Sequence, residues 1–113
     1  MTEGPLVRGL LPGLATRIEA GLVAQGEEQL AEQVDELRIT DVCRCEHSYC
    51  GSFYTASWPM KRWFMRGRQV TIEDEGPGEI TVDVVRGEIS YVEVLYLDDV
   101  RATLLALPGP SRM

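Results

Sequence analysis

The 113-residue chain has no asparagine, one histidine (His47) and one lysine (Lys61) beside ten arginines. That bias, with abundant Gly, Ala and Leu, fits codons rich in G and C and so a bacterial source; it is silent on activity. No run approaches the roughly 20 apolar residues that span a bilayer, which argues against a membrane helix. The start, Met1-Thr2-Glu3-Gly4-Pro5, has no basic leader, and Arg8 and Pro12 interrupt the apolar residues that follow, so no secretory segment is expected. Three cysteines are an odd number, which excludes a fully paired secreted framework within one chain. The expected compartment is the reducing cytoplasm. The chain also lacks a P-loop, a dinucleotide glycine fingerprint, a His-Glu-x-x-His pair and a nucleophile elbow. Nothing in it requires enzyme function.

What is present describes a folded protein. Hydrophobic residues make up 44% and charged residues 26%, near the averages for globular domains, and the length suits one domain spanning 1–113. Glycines and prolines in 1–13, and again in 108–113, predict loose termini. Leu14, Ile18 and Leu22 recur every four residues, and Leu30, Val34 and Leu37 resume the stripe beyond Gly26. That is an amphipathic helix, or a helix pair meeting near Gly26, where helix-interior glycine costs about 1 kcal/mol relative to alanine. Beyond Leu37 the residues are β-prone, with strands expected at 37–44, 52–57, 69–74, 79–85 and 88–97. Ile80, Val82 and Val84 alternate with Thr81 and Asp83, and Arg86-Gly87 suits a tight hairpin. The last strand is apolar on both parities, Val92, Val94 and Tyr96 against Ile89, Tyr91, Leu95 and Leu97, which predicts a central strand covered on both sides. Asp98 or Asp99 would cap a short helix running to Leu107. The expected class is α+β: an N-terminal helix or helix pair on a mainly antiparallel meander of about five strands, with a short C-terminal helix.

Cys43, Cys45, His47 and Cys50 fall within eight residues. Three thiols and an imidazole are the four donors a tetrahedral zinc ion takes, and His47-x-x-Cys50 has the spacing of a metal knuckle. Cys43 and Cys45 fit less simply. On a continuous strand they share a face but stand too far apart for one ion unless the chain bends. The plainer reading is reduced cysteines serving as small buried hydrophobes, with His47 on an exposed turn. A disulfide or redox pair, Cys43 or Cys45 with Cys50, is the third, with Arg44 near enough in sequence to favour a thiolate. His47 is the only base available to a nucleophilic cysteine, and no oxyanion hole or orienting group accompanies it.

The charge is uneven. The formal net charge is -7, yet residues 47–72 contain no carboxylate and carry Lys61, Arg62, Arg66 and Arg68. Trp58, Trp63 and Phe64 interleave with these cations. Such a segment suits docking to an acidic protein partner, and homo-oligomerisation is compatible with it, since Trp and Arg anchor interfaces. It also suits single-stranded nucleic acid, bases stacking on the rings and phosphates on the cations, although the acidic whole disfavours nucleic acid. The plainer alternative is an irregular connection whose arginines pair with the acidic helical region. Glu93, on an otherwise apolar parity, belongs either at a solvent-facing edge or in a small-molecule pocket. The leading expectation is a non-enzymatic interaction or accessory protein that binds a protein partner through Trp58, Lys61, Arg62, Trp63, Phe64, Arg66 and Arg68. The alternatives are a zinc-binding domain built on Cys43, Cys45, His47 and Cys50, and single-stranded nucleic-acid binding. No other cofactor is expected.

Overall fold

A computed structural model describes residues 4–43, 45–55 and 67–107. Four helices and five strands appear among them: α1 (Val7–Leu10), α2 (Pro12–Ala24), α3 (Glu28–Gln33) running into a 3-10 turn (Val34–Glu36), β1 (Asp41–Val42), β2 (Phe53–Tyr54), β3 (Arg68–Thr71), β4 (Glu79–Val85), β5 (Glu88–Leu95) and α4 (Asp98–Leu105). The strands form one antiparallel sheet in the order β1-β2-β5-β4-β3. The fold is α+β, with the helical region first and a short helix last.

The stripe read from the sequence is the face that is buried. Leu14, Ile18 and Leu22 of α2 and Leu30, Ala31 and Val34 beyond it join Phe53, Val70, Ile80, Val82, Val92 and Val94 of the sheet in one hydrophobic cluster. The helix pair breaks where expected, Gly26 taking φ +80° between α2 and α3. Gly21 has another cause. A Cβ there would lie 2.5 Å from Ile72 Cγ2, so this glycine lets α2 approach the sheet. Arg17 fastens the same helix to the turn before β4, donating to both carboxylate oxygens of Asp74 (3.0 and 2.9 Å) and to the Pro77 carbonyl (2.9 Å). The guanidinium holds the Asp74 carboxyl below its usual pKa.

The β4–β5 hairpin follows the alternation closely. Arg86 and Gly87 both take positive φ, the requirement of the tight turn that matches strand twist. Elsewhere four expectations are corrected. Residues 7–13 are not loose: Val7–Leu10 is helical, Val7 is fully buried, and Pro12 opens α2, where its missing N–H costs nothing. The first expected strand, 37–44, divides its bonding. Ile39 donates to Pro5 and Val7 donates to Leu37, both at 2.8 Å, whereas Thr40 and Cys43 bond across to Tyr54 and Ser52. β5 is the central strand, but its two faces are unequal. A register shift between Asp83 and Val84 pairs Val84 with Ile89 and leaves Ser90 unopposed, turning Ile89 onto the same face as Val92 and Val94. Tyr91, Glu93 and Leu95 on the other face are only half-buried, and Tyr96 leaves the strand at φ +66°, 58% exposed. Finally, Leu97 is the N-cap of α4 and no side chain caps it. Asp98 and Asp99 occupy its first turn, where carboxylates oppose the positive end of the helix dipole.

Candidate metal centre

The link from β1 to β2 carries all three cysteines. Its stems continue the ladder: the Cys43 amide donates to Ser52 O (2.9 Å), Gly51 donates to Val94 O (2.8 Å), and Cys50 forms an isolated bridge with Leu95. Between the stems the chain bends at Glu46, and a turn closes with the Cys50 amide on His47 O (3.2 Å). Strand β1 ends at Val42, so Cys43 and Cys45 do not lie on one continuous strand. This supplies the bend that a shared ion requires. The sulfurs of Cys43, Cys45 and Cys50 all lie within 4.8 Å of one another. Thiolates bound to a tetrahedral zinc sit about 3.8 Å apart, from Zn–S bonds of about 2.3 Å. A contraction of about an ångström would therefore suffice.

The three thiols differ in surroundings. Cys43 and Cys50 are half-buried and Cys45 is exposed. Burial pushes the Cys43 thiol up to about 11. The neighbouring amide and side chain of His47, with the Cys50 thiol, lower the Cys45 thiol to about 6. Charge-assisted hydrogen bonds to the sulfur favour its ionised form. Cys50 Sγ donates to Ser52 Oγ at 3.4 Å, and Ser52 is itself almost completely buried, its Oγ accepting from the Val94 amide at 2.9 Å. Ser52 thus replaces a backbone acceptor in the sheet while orienting a cysteine.

His47 is exposed, and its ring nitrogens stand outside the three-sulfur group. Its ring lies 5.0 Å from that of Tyr49, which in turn stacks on Tyr96 at 5.2 Å. The Tyr96 amide donates to Tyr49 O (2.8 Å), tying this aromatic row to the end of β5. A second pair, Tyr54 and Tyr91, with centroids 4.7 Å apart, sits on neighbouring strands of the half-buried face. Sequence reasoning gives Tyr91 and Tyr96 as apolar positions on opposite faces of the last strand and misses Ser52. The only available signal for Ser52 was its position two residues after Cys50, which in an extended segment puts both side chains on one face.

Of the expected docking segment, Trp58, Lys61, Arg62, Trp63, Phe64 and Arg66 lie outside the described residues. Arg68 opens β3 and makes a bidentate pair with Glu27, both contacts at 2.9 Å, as an arginine tied to the acidic helical region would. Glu93 is half-buried opposite Thr81, and a shallow cavity of ≈ 270 Å³ lined by residues including Gln33, Arg38, Thr55 and Glu88 does not include it. No helix of the described residues is long and apolar enough to cross a membrane. Comparison with protein-family models, with curated proteins and with solved structures returns no match to the chain.

Proposed function

We propose that this chain is a small metal-binding domain that holds a zinc ion on the thiolates of Cys43, Cys45 and Cys50. The observation that carries it is the gathering of the three sulfurs within 4.8 Å, on a hairpin whose stems are fixed by the sheet. Three thiolates suit a borderline-soft ion, and the bound charge would offset the burial that keeps Cys43 protonated. His47, exposed and two residues on from Cys45, is the adjacent imidazole for the fourth position. Ser52 serves as the outer partner that orients Cys50. In this reading the metal ties β1 to β2 and makes the end of the sheet a rigid platform.

Elemental analysis of protein purified without chelator tests the proposal. About one equivalent of zinc is expected, falling sharply in Cys43→Ser, Cys45→Ser and Cys50→Ser, with cobalt giving thiolate-to-metal charge-transfer bands. Less than about a tenth of an equivalent, with no uptake of added zinc by the reduced protein, would sink it.

A further inference from the structure

We infer that Cys45 is a site of oxidative modification by hydroperoxides and that Cys50 resolves it, so that a Cys45–Cys50 disulfide switches the metal off. The inference deepens the zinc reading and names a regulation of the same centre. Three observations single out this pair. Cys45 is exposed while Cys43 and Cys50 are half-buried, so an oxidant from solvent meets Cys45 first. The Cys45 and Cys50 sulfurs belong to a group lying within 4.8 Å, and Cys50 closes the turn that follows Cys45, its amide donating to His47 O at 3.2 Å. Cys43 is held in the ladder by its amide bond to Ser52, whereas Cys45 lies past the end of β1, in the link that must move if two sulfurs are to close to bonding distance.

The chemistry balances in two steps. The Cys45 thiolate attacks one oxygen of hydrogen peroxide, the O–O bond breaks, and hydroxide leaves and takes up a proton to become water. Cys45 is now a sulfenic acid, oxidised by two electrons. The Cys50 sulfur then attacks the Cys45 sulfur, the S–O bond breaks, and the departing hydroxide combines with the Cys50 proton to give a second water. Peroxide is reduced to two waters and the two thiols become one disulfide. Two of the three thiolates are withdrawn from the ion, and Cys43 with His47 cannot retain it.

The experiment treats the zinc-loaded and the zinc-free full-length protein with hydrogen peroxide. It follows zinc release with a chromophoric chelator and maps disulfides in unreduced peptides. The expected result is a Cys45–Cys50 bond in both samples, with release of bound zinc in step with its formation. Cys45→Ser should abolish the bond, and Cys50→Ser should stall at a Cys45 sulfenic acid that dimedone traps. Cys43→Ser should still form the bond. Circular dichroism of each variant shows whether it is folded, and the map of the wild-type protein decides independently of them. A bond joining Cys43 to Cys50, or zinc retained with all thiols reduced, would overturn the inference. The first of these leaves zinc binding intact, as does the second. A protein that binds no zinc yet forms the Cys45–Cys50 bond would uphold the thiol chemistry and overturn the metal reading.

Discussion

The inner face of the sheet and the cysteine-bearing hairpin are held together by different forces. On the inner face, aliphatic side chains from α2, α3 and four of the strands bury one another, and register follows because a one-residue slip would expose a whole row. The hairpin has little of this. Its position depends on a few backbone bonds across to Ser52, Val94 and Leu95 and on one buried hydroxyl. The scaffold is therefore fixed by burial and the sulfurs by hydrogen bonding. Substitutions of the thiols should leave the sheet folded, whereas substitutions where the two regions meet should affect both.

Phe53 and Ser52 sit at that junction, and they separate the two kinds of force. Phe53 is fully buried on β2, paired with Val92. Phe53→Ala should cost about 3–5 kcal/mol in denaturant unfolding and disturb metal uptake as well, because β2 carries one stem of the hairpin. If zinc affinity survived in a folded Phe53→Ala protein, the hairpin would be independent of the core. Ser52→Ala should cost less, about 1–3 kcal/mol, by leaving the Val94 amide without an acceptor. It should also weaken zinc binding by about 10–100-fold, since Cys50 loses the group that orients it. A Ser52→Ala protein with unchanged zinc affinity and reduced stability would confine Ser52 to a role in the sheet.

The smallest effect lies farthest from the sulfurs. Arg17→Ala should cost at most about 1 kcal/mol, because both partners of the ion pair remain partly in solvent. The sign with pH is fixed by Asp74. Arg17 lowers its folded-state pKa below the ordinary 3.8. The unfolded chain therefore binds more protons in the window beneath that value, and the contribution is complete above 3.8 and lost as pH falls through the folded pKa. Thermal melts of wild-type and Arg17→Ala protein should converge in acid and separate toward neutrality; a constant gap would assign the effect to lost packing of the arginine stem.

Much of the scaffold was legible in the sequence because burial writes a periodic pattern. The spacing of Leu14, Ile18 and Leu22 and the alternation through Ile80, Val82 and Val84 each mark a face that is buried. The local departures left no such mark. A single unopposed residue at Ser90 reverses the parity of Ile89, and periodicity cannot reveal a reversal whose cause is an extra residue. Val7–Leu10 was hidden by flanking glycines and prolines, although Pro12 at the head of α2 is a helix signal in its own right. At the site, residue types and their closeness in sequence nominated Cys43, Cys45 and Cys50. Which thiol would be exposed, and which serine would support the group, depended on pairings between distant segments. His47 illustrates the limit of spacing as a guide: two positions from Cys45 and three from Cys50, its ring nitrogens still stand outside the three-sulfur group.

Gly21 carries a last consequence. Since a methyl group at that position would run into Ile72, the gap between helix and sheet is set by an atom that is missing. Ile18 and Leu22, fully buried on the same helix, fill a space whose height depends on their neighbour's lack of a side chain, so the spacing of helix and sheet at this point is governed by its smallest residue.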